Sequence, residues 1–199
     1  GCVQIAFMII TIIANSRGLN DAAAVGIVEK MVTAIFIIPS TMLATVSALS
    51  AQNIGAKNYG RARTVLKYAV MITTLYGIIV TLIVECAAPT LLGLFTKDTT
   101  VILLGVQYIS SYIIDTIFAG IHFGFSGYFA ADGKSYIGFI HNIISISLVR
   151  VPGSYIASIM YPHNLFPMGL AAPLGSLLSV IICLIAYCIL KKKDELSVL

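Results

Sequence analysis

From Ala22 to Asn53 the chain runs for 32 residues with Glu29 and Lys30 as its only charges. As a helix this run is ~48 Å long at ~1.5 Å per residue, against a hydrocarbon core of ~30 Å. It must tilt, bend at Pro39 or protrude. Lipid leaves a spanning backbone little choice but the helix or the closed barrel, because every N–H and C=O must bond internally. Five more apolar runs share the pattern, at about 1–14, 61–88, 99–129, 135–160 and 168–190. Short polar turns separate them: Asn15 to Asp21, Ile54 to Gly60, Phe95 to Asp98, Ala131 to Lys134, and Tyr161 to Pro167 with its two prolines. Asn20 or Asp21 is placed to cap the second helix, and Gly133 suits a turn with positive φ. Charged residues make up 10% of the sequence, where soluble domains carry about 25%. The expected architecture is an all-α integral membrane protein, one six-helix transmembrane lobe over 1–199. The first run has no charged segment before it, which makes it a poor signal peptide. It reads as a truncated span, and the chain as a fragment of something longer.

The basic residues set an orientation. Loops two and four and the C-terminus hold Lys57, Arg61, Arg63, Lys67, Lys134, Lys191, Lys192 and Lys193, while the opposite side holds Arg17 and Lys97. Eight against two places the C-terminus in the cytoplasm of a multi-pass protein of the plasma membrane.

The fourth run carries a carboxylate, Asp115. At 100° per residue, Tyr108, Tyr112, Asp115, Ala119, His122 and Ser126 fall within about a quarter of the helix circumference. The remaining faces are Ile, Phe and Val, as expected for lipid contact. An ionisable group at this depth costs ~2.5–3.5 kcal/mol on insertion scales and commonly marks an ion or substrate path. Asp115, Tyr112, His122 and Tyr108 are therefore the candidate coupling or cavity residues. The competing reading is that Asp115 only binds neighbouring helices together. Arg150 lies past the middle of the fifth run, on the face shared with Ser147 and Ser154, and needs a partner. Asp115, Glu29 and Glu85 are all candidates, and Lys30 and Glu29 form a possible intramembrane charged set with it. Lys30 can also snorkel to the interface. His122 and His141 can relay protons or simply pack. Gly120 and Gly124 allow close helix contact, and Pro39 and Pro152 are bend candidates.

Several classes find no support in the sequence. Cys2, Cys86, Cys183 and Cys188 show no metal spacing. There is no P-loop or dinucleotide-binding glycine run, no nucleophile–base pair stands out, and no nucleic-acid partner is implied. An enzyme is not expected, nor a cofactor beyond a coupling ion.

Three segments carry a family likeness. Ala44 to Arg63 (ATVSALSAQNIGAKNYGRAR), Leu94 to Asp98 (LFTKD) and Gly169 to Pro173 (GLAAP) resemble the multidrug and toxic compound extrusion (MATE) family. The first matches the turn and basic residues that come after a long helix there. The resemblance implies twelve helices in two six-helix lobes, with this chain similar to the second lobe and its first helix clipped. It implies export of organic cations and other drugs in exchange for Na+ or H+, with an N-terminal lobe and the bilayer as partners. Asp115 falls where sodium-coupled members have a carboxylate on the tenth helix, and the resemblance thereby makes it the candidate Na+ ligand. Ser126–Gly127 stands where those members have Arg-Gly, and Gln4 near where they have a glutamate, so the chain departs from that pattern twice.

The expected function is thus a secondary active multidrug antiporter, with Asp115 facing a cavity between two rocking lobes. Tyr108, Tyr112, Phe118, Phe123 and Phe125 would offer aromatic surface to flat cations. The alternatives are a lipid-linked oligosaccharide flippase, for which Arg150 and Lys30 would suit a pyrophosphate, and a non-transporting membrane scaffold.

Overall fold

The computed structural model describes the backbone of residues 2–196 and the side chains of residues 5–192. Cys2, Gln4 and Lys193 have side chains outside that range. The described residues form helices only: α1 (Cys2–Arg17), α2 (Leu19–Ile35), α3 (Ile37–Gly55), α4 (Tyr59–Gly93), α5 (Thr99–Tyr112), α6 (Asp115–Ala131), α7 (Ser135–Ser145), a π turn (Ile146–Arg150), α8 (Val151–Met160) and α9 (Phe166–Leu196).

Helix ends are set by short polar signals. Asn58 accepts a hydrogen bond from the Arg61 amide at the start of α4, and Asp98 accepts from the amides of Thr100 and Val101 at the start of α5. Such caps satisfy amides that have no partner inside the helix. The α1–α2 junction is tighter than the polar turn expected over 15–21. Gly18 alone breaks the helix, at φ 143°, and neither Asn20 nor Asp21 caps α2. Asp21 instead takes a hydrogen bond from Arg17 Nε at 2.6 Å. The Arg17 fork also reaches the carbonyls of Ser158, Tyr161 and Pro162 at 3.1, 3.2 and 2.9 Å, fastening the end of α8 to the end of α1.

Three long runs are interrupted at mid-length. Between α2 and α3 the helix breaks at Phe36, ahead of Pro39. Proline has no N–H to bond the carbonyl four residues back, and the Tyr76 hydroxyl of α4 donates to that Ile35 carbonyl at 2.9 Å. The run expected as one helix over 99–129 is two helices bent by 42°. Around Ile113 and Ile114 the bonding tightens to a three-residue step, Thr116 N–H to Ile113 O at 3.0 Å and Ile117 N–H to Ile114 O at 3.2 Å. Thr81 of α4 also donates to the Ile113 carbonyl, at 3.4 Å. In the fifth run the π turn precedes Pro152, widening the helix where the proline ring would meet a carbonyl. The Val151 amide accordingly bonds Ile146 O, five residues back.

The centre of the lobe is α5–α6. α6 packs against α3, α4, α7 and α9, and α5 against α2, α4 and α9. This corrects the expectation of a helix with lipid on its apolar faces: it is surrounded. Small residues permit it. A Cβ on Gly127 would fall 2.5 Å from the Leu43 carbonyl of α3, and one on Gly120 would fall 2.6 Å from Thr73 Cβ of α4. Gly124 has only ordinary contacts, Val70 at 3.5 Å being the nearest. The apolar stripes lie outside, as on α4 (Met71, Leu75, Ile78, Leu82) and α9 (Leu174, Leu177, Ile181, Leu184), all exposed at helical spacing. Four helices, 19–55 taken together, 59–93, 135–160 and 166–192, are long and apolar enough to cross a membrane, and the bent α5–α6 pair is a fifth if counted as one span. The chain is an all-α, multi-pass membrane protein.

Candidate functional site: a buried ion pair beside a cavity

Because of the 42° break, Asp115 is the first residue of α6. Its side chain is fully buried, at 0% exposure. Arg150 Nη2 donates to Asp115 Oδ2 at 2.5 Å and to Ser176 Oγ at 2.8 Å. Among the candidate carboxylates the partner of Arg150 is therefore Asp115. Glu29 accepts from Thr11 at 3.0 Å instead, and Lys30 and Glu85 are exposed. Two charges in an apolar interior persist only as a close pair with further hydrogen bonds. Asp115 Oδ1 is buried and has no hydrogen-bond partner.

The π turn explains how Arg150 reaches this position. A regular helix would put residue 147 or 148 one turn behind 151 and keep Arg150 with Ser147. The wide turn adds one residue, so the buried series runs His141, Ser145, Arg150, Ser154, while Ser147 is exposed. Arg150 thus shares its face with Ser145 and Ser154, not with Ser147. Opposite it, α9 presents Gly175. A Cβ there would fall 2.5 Å from Arg150 Cγ and 2.8 Å from Ser145 Oγ, and the Gly175 carbonyl accepts from Ser145 Oγ at 2.6 Å. Sequence reading missed Gly175 and Ser176. A glycine–serine pair on an apolar helix was the available signal.

A cavity of about 410 Å³ lies beside the pair. Its lining combines the apolar Phe7, Val32, Phe36, Ile37 and Phe123 with the polar Thr33, Ser40, His122, Asn142, Ser145, Arg150, Ser176 and Ser179. Asp115 is not part of the lining: Arg150 stands between it and the cavity. Of the aromatic residues expected to face a cavity, Phe123 does so. Tyr108 and Tyr112 are buried at 1% exposure each, their ring centroids 5.5 Å apart, and line neither cavity. A second cavity of about 230 Å³ is lined by Leu43, Ser126, Ala130, Ser135, Gly138 and His141, and shares His122, Phe123 and Asn142 with the first.

The site is thus a buried ion pair beside a cavity, in a bundle of membrane helices broken at mid-length. The sequence profile of the MatE family matches residues 2–156, and the chain belongs to that family. The fold agrees. The chain is similar to a mutant of the Vibrio cholerae MATE transporter VcmN, with a TM-score of 0.88 at 17% identity over 96% of this chain and 43% of that one. It is similar to an outward-facing multidrug resistance MATE family transporter of the MOP superfamily, at 0.86 and 17% over 95% and 44%. It is also similar to a MOP superfamily transporter from Pyrococcus furiosus, described as having a binding pocket of reversed polarity, at 0.84 and 15% over 96% and 42%. The chain thus spans less than half the length of the transporters it matches. No curated protein matches its sequence closely enough to count as a relative.

Proposed function

We propose that the chain is the C-terminal six-helix lobe of a secondary active multidrug exporter of the plasma membrane, paired with an N-terminal lobe of similar size and with its own C-terminus in the cytoplasm. The observation that carries this reading is the double engagement of Arg150, which neutralises the buried Asp115 and also forms part of the cavity wall.

The arrangement has the electrostatic logic of an antiporter for cations. With Asp115 ionised and paired, the wall is neutral and the aromatic side, Phe7, Phe36 and Phe123, accepts a flat organic cation. A proton or Na+ at Asp115 displaces the guanidinium. Arg150 is then an uncompensated positive charge beside the cavity. At ~4 Å and an effective dielectric of about 20 two like charges repel by ~4 kcal/mol, so the drug cation is expelled. Coupling ion and drug occupy the lobe by turns, which is exchange.

The test is export of a fluorescent cationic dye from cells lacking their own pumps, by the full-length protein and its Asp115→Asn form, with sodium and pH gradients imposed separately. Loss of gradient-driven export in the mutant is expected. Unchanged export and coupling would sink the proposal.

A further inference from the structure

We infer that His122 and His141 form a proton path through this lobe, joining the Asp115 carboxyl to the helix end at the 132–134 turn, and that the coupling ion is accordingly the proton. The inference rests on the reading of the chain as one lobe of a cation-coupled exporter, and it names the ion and its route.

The polar groups between these points are consecutive. Asp115 is bound by Arg150, and Arg150 by Ser176 at 2.8 Å. Ser176 Oγ lies 3.5 Å from His122 Nε2. The rings of His122 and His141 meet edge to face with centroids 5.5 Å apart. His141 Nε2 is 2.9 Å from Ser126 Oγ, which lines the second cavity. That cavity extends to Ala130 and Ser135, on either side of the turn. The two cavities share His122, so its side chain borders both. From Asp115 to Ser126 the rise along α6 is ~16 Å, about half of a ~30 Å hydrocarbon core. The chain of groups therefore covers a half-membrane distance without leaving the lobe.

Two more observations point the same way. The Nδ1 atoms of both histidines, and Asp115 Oδ1, are buried without hydrogen-bond partners. A histidine used only for packing normally satisfies both nitrogens; these keep one free for a transient water. The groups facing the His122 imidazole are also of the kind a proton relay needs. α7 supplies His141, the π turn supplies Arg150, and α9 supplies Ser176 and Ser179. α2 and α3 bring Thr33 and Ser40 to the first cavity and Leu43 to the second. Among the described lining residues of the two cavities none is a carboxylate, so beyond Asp115 itself the route holds no anionic side chain that would retain Na+.

While Asp115 is protonated and Arg150 displaced, the carboxyl opens onto the first cavity. The proton passes through cavity water to one nitrogen of His122 while the other releases a proton toward His141, His141 releases one through the second cavity to water at the turn, and Arg150 returns to the carboxylate. Arg150 stays protonated throughout. Each imidazole ends with the proton count it began with.

The experiment uses the full-length protein in liposomes with a pH-reporting dye inside, ethidium as the probe cation, and a sodium-free buffer. Wild-type protein is expected to move protons against ethidium with no sodium present. His122→Gln and His141→Gln keep hydrogen-bonding capacity but cannot relay. Each should slow ethidium-driven proton movement at least about a hundredfold, the lower end of what acid–base transfer contributes; His141→Gln, outside the lining of the first cavity, should do so with ethidium affinity unchanged. His122→Ala with added imidazole should recover part of the proton flux, a rescue that a packing role does not predict. Proton flux unaffected by both glutamine variants, or slowed without imidazole rescue, overturns the path while leaving the exporter standing. Ethidium transport that requires sodium overturns the proton as coupling ion. Absence of ethidium binding and transport in the wild type overturns the exporter reading and the path with it.

Discussion

Arg150 Nη2 sits 2.5 Å from Asp115 Oδ2, and the two residues reach each other from a π turn and a helix break. Both irregularities are needed. The break makes Asp115 the first residue of α6, and the π turn brings Arg150 onto the buried face. Removing one charge of a buried pair strands the other and costs about 3–5 kcal/mol, whereas replacing both with neutral groups is far milder. Asp115→Asn and Arg150→Gln should each destabilise the protein, and the double variant should recover most of the loss. A double-mutant cycle on unfolding in detergent reads this directly. Additive losses would show that the pair contributes nothing as a pair.

Deletion of Ser147 tests the π turn. The turn holds one residue more than a regular helix, and Ser147 is an exposed member of it. Without it Ser145 and Arg150 become four apart and still share a face. The shortened protein should fold and keep the ion pair with a loss of about 3 kcal/mol, because the Pro152 ring then meets the carbonyl four residues back, whereas deletion of Ile156, within α8, should rotate the last turn of that helix off its contacts and fail. Gradient-driven dye export separates the two.

The close approach of α3 and α6 depends on Gly127. A methyl group there would lie 2.5 Å from the Leu43 carbonyl and 3.1 Å from Val46 Cβ. Gly127→Ala should destabilise by about 1–3 kcal/mol, the usual cost of overpacking. Gly124→Ala meets nothing nearer than 3.5 Å and should be neutral or stabilising by up to ~1 kcal/mol, since alanine is the better helix former. Thermal unfolding of the two variants gives opposite signs.

Tyr76 and Pro39 should be coupled. Tyr76→Phe leaves the Ile35 carbonyl without its hydroxyl donor, at a cost of about 1–3 kcal/mol. In a Pro39→Ala background the new amide can serve that carbonyl, and the same Tyr76 change should cost much less. Unfolding free energies of the four proteins measure the coupling.

The parts of this lobe that a sequence reveals are those written in runs and signals. The long apolar segments, the Gly133 turn at φ 71° and the isolated charges at Asp115 and Arg150 are all legible. The break between Ile113 and Ile114 is not, because neither residue is a helix breaker and the donor that meets Ile113 comes from Thr81 of another helix. The facing of Arg150 is hidden for a related reason. A helical wheel assumes a constant 100°, and one wide turn shifts every later residue. The expectation that Asp115 faces a cavity assumes a carboxylate meeting solvent; the structure places a tethered guanidinium there instead. Tyr108 and Tyr112 look like cavity residues on a polar stripe, but the bend turns their part of the helix into the packed core.

The central position of α5–α6 has a consequence for how the protein is made. Synthesis runs from N to C, so Asp115 leaves the ribosome before Arg150 and Ser176 exist. The helix destined for the middle enters the bilayer first as a poor tenant, carrying a carboxyl group with no counter-ion, against ~2.5–3.5 kcal/mol of insertion cost. Its guanidinium arrives 35 residues later, and α9 later still. The heart of the lobe is therefore closed last, by helices translated after it, and a ribosome that stalls between residues 131 and 150 leaves an unpaired acid for the membrane's quality control to find.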